Sequence, residues 1–145
     1  MDYHLCVDHL SAERRSALMS SVRGKNTKPE RILRMRLHAA GYRYRLHVRK
    51  LPGSPDLVFP SRKKIIFVHG CFWHLHARCN QGGAPKSNLR YWRPKLEENR
   101  CRDLRNARNL RLAGWRVLIV WGCALRSVKK INQTLSRVVR FLEED

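Results

Sequence analysis

Apolar positions recur at helical spacing near the start of the chain, give way to alternation and short apolar runs in the middle, and return to helical spacing at the end. A first helix is expected from Ser11 to about Val22, followed by the polar break RGKNT. Thr27 opens T-K-P-E, a capping box with Glu30 at the third helical position and Pro29 tolerated in the first turn. The helix it starts carries Ile32, Leu33, Leu37 and Ala40 at helical spacing and stops at Gly41. Tyr42 to Val48 alternates with period two, LPGSP reads as a turn, Asp56 to Phe59 as a short strand, and Ile65 to Val68 as a buried one. From His69 to Ser87 no period holds, so a loop is expected that needs something other than packing to fix it. An Arg-rich helix from Pro94 to Ala113 ends at Gly114, and Trp115 to Trp121 is the most hydrophobic strand. Ser127 caps a last helix with Val128, Ile131, Leu135, Val138 and Leu142 on one face. The order ααβββαβα points to an α/β fold, a mixed central sheet flanked by helices.

Length sharpens this picture. The 145 residues contain no repeat and no Gly/Ser-rich linker, so one domain over 1–145 is expected, with 1–10 a flexible N-terminal extension. No apolar run approaches the roughly 18 residues of a membrane span, which excludes a transmembrane protein. The start, MDYHLCVDHLSAERR, lacks the features of a secretory signal or transit peptide, so a cytoplasmic location is expected.

Charge changes the picture more. Lys and Arg number 31 against 11 Asp and Glu, a formal net charge of +20 spread over the whole length. A folded basic face follows, and its default partner is nucleic acid. An acidic membrane surface suits the chain less well, because no long basic helix carries a bulky apolar face.

Five cysteines, an odd count, argue against a disulfide framework. Cys71, His74, His76 and Cys79 stand close together, and Cys123 comes just after the strongest strand. Ligands from a loop, completed there or from a strand end, suit the closed tetrahedron of a structural zinc site. The spacing C-x4-H-x2-C is irregular and leaves open which four ligate. One histidine is expected to remain free, and beside a basic surface it could transfer protons. The competing reading makes the cysteines small buried hydrophobes and the histidines surface residues, and Cys6 and Cys101, outside any cluster, take it.

With only 11 acids, each one near apolar structure is informative. Asp56 opens a strand after Pro55, and Asp103 shares the least charged helical stripe with Asn99, Ala107, Leu110 and Gly114. Phosphodiester hydrolysis needs a carboxylate to hold a hard divalent cation and a base to activate water. Asp56, Glu30, His69 and His74 supply those types. Each also has a structural reading: a turn aspartate, a capping glutamate, a core histidine. The residues alone therefore reach a basic α/β domain suited to zinc.

The strings PGSPDLVF, IIFVHGCFWH, YWRPKLEENRCRDLRN and LAGWRVLIVWGCALR together resemble the very-short-patch-repair (Vsr) mismatch endonuclease family, from about Arg14 through Arg126. That resemblance implies a restriction-endonuclease-like core with a structural zinc. It implies a Mg2+-dependent nick 5′ to the thymine of a T:G mismatch in double-stranded DNA, initiating very short patch repair. The setting it implies is bacterial and nucleoid-associated, with a monomer acting, room for a mismatch-repair recruiting factor and no membrane partner.

By the same resemblance Asp56 matches the magnesium-binding aspartate, with the backbone carbonyl of Val68 as a further contact. His74 matches the histidine that activates water, Asp103 the acid that orients it, and Glu30 and His69 the accessory acid and histidine. Cys71, His76, Cys79 and Cys123 match the zinc ligands, leaving His74 free. Phe72 and Trp73 match an aromatic wedge entering the DNA, Met19 a residue inserted from the N-terminal helix, and Lys95 and Asn99 residues near the mismatched bases. Core packing competes for Phe72 and Trp73, and a solvated helix face for Lys95 and Asn99.

The chain departs from the family's pattern at two places, and from the related restriction core at a third. Val68 stands where a threonine is typical, which a carbonyl contact tolerates. Arg78 is an extra residue before Cys79. Phe67, Val68 and His69 replace the acid-x-lysine of the related restriction core, so the metal is held by fewer carboxylates and the chemistry leans on histidine. A Vsr-like nuclease with another target, or a zinc-stabilised DNA-binding module without activity, are the alternatives.

Overall fold

The computed structural model describes residues 10–22, 24–80, 82 and 85–145. Helix α1 (Ala12–Ser21) begins where the Ser11 hydroxyl accepts from the Arg14 amide, and none of its residues is buried. In α2 (Lys28–Ala39) the Thr27 hydroxyl accepts from the Glu30 amide. Glu30, Leu33 and Leu37 form its buried stripe. Gly41, at φ +94°, donates to the His38 carbonyl while Tyr42 donates to Leu37, closing the helix with a residue that tolerates the left-handed backbone.

Four strands form one sheet in the order β1 (Arg45–Leu46), β2 (Leu57–Phe59), β3 (Lys64–His69), β4 (Arg116–Trp121). The first two pairings are antiparallel, whereas β3 and β4 run parallel from Lys64 opposite Arg116 to His69 opposite Trp121. A parallel pair requires a crossover, and α3 (Leu89–Leu112) lies in it. Both faces of the sheet are covered. Ile66, Leu57, Phe59 and Val120 pack with Leu33 and Leu37 of α2 and with Val138 and Leu142 of α4 (Val128–Glu143). On the other face Val58, Ile65 and Phe67 pack with Leu110 of α3. Burial on both faces is why β3 reads as a continuous apolar run rather than an alternation.

Three expectations change. The strand expected over Tyr42–Val48 shrinks to Arg45–Leu46, an exposed edge, and His47 leaves it at φ +48°. Tyr42 and Tyr44 still pack against the core, but the three-residue β2 pairs only with Arg45 and Leu46. Helix α3 starts at Leu89 instead of Pro94 and runs through the proline, because Trp92 and Leu96, both almost wholly buried, anchor its first turns. That burial outweighs the hydrogen bond Pro94 cannot donate. Cys101 is exposed, not buried, since its side of α3 faces away from the sheet. The expected N-terminal extension, with Cys6, lies outside the described residues save for Leu10. No described helix is long and apolar enough to cross a membrane.

Candidate active site

The LPGSP turn delivers Asp56 to the start of β2. Gly53 has φ +77°, and a Cβ there would come within 2.8 Å of the Asn106 amide on α3, so glycine permits both the turn and its close approach to the helix. The Oδ2 of Asp56 accepts the Val68 amide at 2.7 Å, tying β2 to the end of β3. Burial pushes the Asp56 carboxyl up to about 7, and the nearby Glu30 charge adds to the rise against the opposing pull of the Val68 amide and His74.

His69 ends β3, buried against the rings of Phe67 and Trp121 and stacked face to face on His74 at 3.8 Å. Burial, reinforced by His74, lowers its pKa to about 4, so this imidazole is neutral at neutral pH. His74 comes from the turn that follows, where its amide donates to the Gly70 carbonyl. Its Nδ1 pairs with Oδ2 of Asp103 on α3. With the Nδ1 proton directed at that carboxylate, Nε2 of the neutral ring keeps a lone pair for accepting a proton.

A third group completes the site. Glu30, 1% exposed, reaches in from α2, with Arg34 at 3.5 Å. His47, just past β1, places Nε2 3.0 Å from Glu30 Oε1 and Nδ1 3.9 Å from Asp56 Oδ1. Neither His47 nitrogen nor Glu30 Oε1 has an aligned hydrogen-bond partner.

Lys25, His47, Asp56, Val68, His69, His74, Arg102, Asp103 and Asn106 line, with others, a cleft of about 310 Å³, and Glu30 stands behind His47 and does not line it. Carboxylates, imidazoles and two cationic side chains in one concavity can hold a divalent cation, accept a proton and receive a phosphate. His47, Lys25, Arg102 and Asn106 were not among the residues expected from sequence. The signal for His47 was a histidine shortly before PGSPD, masked by the alternation of the apparent strand around it.

The neighbouring His76 faces different company. Leu75, at φ +49°, separates it from His74, and its amide donates to the Cys71 carbonyl. Its ring stacks on Trp121 at 4.1 Å, and Nδ1 lies 3.5 Å from Cys123 Sγ. The donor atoms of Cys71, His76, Cys79 and Cys123 all lie within 4.8 Å of one another, a set able to hold a metal ion. Burial pushes the Cys71 thiol up to about 12, so a bound cation is what would favour its thiolate.

None of the expected DNA-contacting residues lines the cleft. Phe72 and Trp73 are half-buried and meet edge to face, and both also contact the Trp92 ring. Asn99 donates to the Trp73 carbonyl and accepts from Arg102, while Lys95 sits over the Tyr91 ring. Met19 is half-buried on α1. At Val68 the contact seen is the amide that Asp56 accepts.

A model of the family described as DNA mismatch endonuclease Vsr matches residues 7–81. The chain is 52% identical over 132 residues to the type II nicking enzyme V.XorIIP of Xanthomonas oryzae pv. oryzae, spanning 91% of this chain and 96% of that protein. It is 37% identical over 137 residues to the type II nicking enzyme V.NmeAIP of Neisseria meningitidis, spanning 94% and 97%. To the DNA mismatch endonuclease Vsr of Escherichia coli it is 39% identical over 118 residues, 81% of this chain and 75% of that one. A nuclease-type cleft in a chain so similar to nicking endonucleases makes it an endodeoxyribonuclease, and it belongs to the DNA mismatch endonuclease Vsr family.

Proposed function

We propose that this endonuclease nicks one strand of double-stranded DNA 5′ to the thymine of a T:G mismatch, by Mg2+-dependent hydrolysis that initiates very short patch repair. The observation that carries the reading is the convergence of Asp56, His69, His74 and Asp103 on one cleft at the end of β3. The matched family and the Escherichia coli relative, both described as mismatch endonucleases, support the target.

The oxygen donors suit a hard cation: Asp56 is half-buried and has one oxygen not taken by the Val68 amide, and Glu30 Oε1 nearby lacks an aligned partner. Asp56 and the Val68 carbonyl would hold Mg2+, which when bound stabilises charge developing on the scissile phosphate. Asp103 orients His74, whose Nε2 takes the proton from the attacking water. His69, stacked on His74, stays neutral at neutral pH because it is buried. Glu30 adds negative charge behind Asp56, and Lys25 and Arg102 bring positive charge to the backbone phosphates. Phe72 and Trp73 act as the wedge, with Met19 inserting from α1 and Lys95 and Asn99 near the mismatched bases.

Cys71, His76, Cys79 and Cys123 hold a structural Zn2+ that fixes the loop presenting His74. Residues 1–145 work as one domain with a restriction-endonuclease-like core, as a monomer in the bacterial cytoplasm near the nucleoid. A mismatch-repair factor that recruits it fits this reading.

Nicking of end-labelled T:G, T:A and other single-mismatch duplexes, with and without Mg2+, tests the proposal. Preferential cutting of T:G at the phosphate 5′ to thymine is expected. Relatives named type II nicking enzymes favour a second reading, a defined sequence as target, and equal cutting of T:G and T:A duplexes would establish it. Binding without nicking under every condition would reduce the chain to a DNA-binding module.

A further inference from the structure

Glu30, His47 and Asp56 come from three separate elements, α2, the chain after β1 and the start of β2, yet each offers a donor atom within 4.8 Å of the other two. Both His47 nitrogens and Glu30 Oε1 are buried without an aligned hydrogen-bond partner. Leaving such buried atoms unpaired is costly, so a cluster that holds three of them calls for something that satisfies them. The backbone of His47 is left-handed at φ +48°, an uncommon state for a residue other than glycine, and it takes the ring out of the strand alternation.

Glu30 Oε1 lies 3.0 Å from Nε2, off the line of a hydrogen bond but close enough to favour the ring proton on that nitrogen. Nδ1 then carries the lone pair, and it lies 3.9 Å from Asp56 Oδ1. This separation is too long for a hydrogen bond. It suits two ligands of one cation, since donors each about 2.1 Å from a first-row ion stand roughly 3 to 4 Å apart. A carboxylate behind the far nitrogen of a ligating histidine is the usual means of fixing its tautomer and raising its basicity.

We propose that His47 is a ligand of the cation held by Asp56, positioned by Glu30, and that this nitrogen biases the site toward first-row transition cations, with Mn2+ as the spectroscopic probe, over Mg2+. The inference rests on the reading of Asp56 as a cation ligand. It gives Glu30 a definite task, orienting a histidine rather than touching substrate. Mg2+ prefers oxygen donors and gains little from an imidazole, whereas transition ions accept it readily.

Mn2+ titrated into the protein as purified, without DNA, and followed by electron paramagnetic resonance tests this independently of nicking. Spin-echo modulation of bound Mn2+ is expected to show 14N coupling, retained in His74→Gln and lost in His47→Gln. Mn2+ affinity should fall about tenfold or more in His47→Gln and in Glu30→Gln, with Mg2+ affinity in competition changing less than about twofold. Absence of 14N coupling in the unaltered protein overturns the proposal without recourse to any variant. Coupling that survives His47→Gln overturns it too, and loss in His74→Gln assigns the nitrogen to that ring. Failure of the unaltered protein to bind Mn2+ or Mg2+ at all would remove Asp56 as a cation ligand, and with it the metal-dependent mechanism. Bound ion without nitrogen coupling removes only His47.

Discussion

His74 and His76 are two residues apart on one turn and serve opposite environments. The first meets Asp103, His69 and a cleft bordered by carboxylates; the second meets three thiols and the face of Trp121. Oxygen donors suit hard cations and thiols soft ones, so the two clusters can keep different metals apart across a single turn of chain. The difference teaches that the loop's role is to orient rings: what each imidazole does is set by the partner across from it. Removing groups from one cluster at a time separates chemistry from scaffolding.

The largest effect is expected from Asp56→Ala. Nicking should fall by at least about a thousandfold even at high Mg2+, while duplex binding persists, because the main carboxylate for the cation is gone and repulsion of phosphate is reduced. Single-turnover nicking beside a binding titration checks this. Retained activity would move the cation away from the cleft.

Next, His74→Ala should slow nicking roughly a hundredfold or more, with cation affinity nearly unchanged. Asp103→Asn should have a similar effect, and the double variant should add little, as for groups acting as a unit. Parental rates in His74→Ala would erase the contrast between the two histidines.

On the other side of the turn, Cys79→Ser should lower zinc content and thermal stability together, by on the order of 10 °C, because the surrounding loop has little apolar content of its own. Metal analysis and a melting curve decide it. A zinc-free protein that melts at the parental temperature would leave the thiol cluster without a structural task.

The smallest effect is one of pH. Asp56, raised from 3.8 to about 7, contributes stability that is lost as pH rises from about 4 to 7. His69, lowered from 6.5 to about 4, contributes stability that is lost as pH falls through the same window. The two oppose one another between about 4 and 6.5. Relative to the parent, Asp56→Asn should therefore lose stability between pH 7 and 5, and His69→Asn should gain it, each by a few degrees of melting temperature. Measurements without added divalent cation show this, and the proton dependence of the thiol cluster, common to all three proteins, cancels in the differences. Identical pH profiles would mean that neither group is desolvated as its surroundings imply.

The helix starts at Ser11, Thr27 and Ser127 stand where the sequence places them, since a cap is a hydrogen bond between neighbours in the chain. The apolar runs of β3 and β4 were equally legible, because burial on both faces leaves a contiguous mark. The strand around Tyr44 and the start of α3 were not: Tyr42 and Tyr44 pack on the core, yet only Arg45 and Leu46 find strand partners on the short β2, and a proline cannot show that Trp92 will be buried two residues before it. Asp56, Asp103 and the cysteines were legible as residue types, and more sharply through the family's long motifs.

Sequence by itself therefore determined the order of elements, the basic character and the supply of acids, imidazoles and thiols, all properties of local hydrogen bonding and composition. Only the tertiary structure decided how they pair. Asp103 meets His74 across 29 positions and Cys123 meets His76 across 47, while His47 joins Glu30 and Asp56 by leaving its strand. Contacts between distant segments follow from how the sheet and its covering helices close, which no short-range pattern encodes.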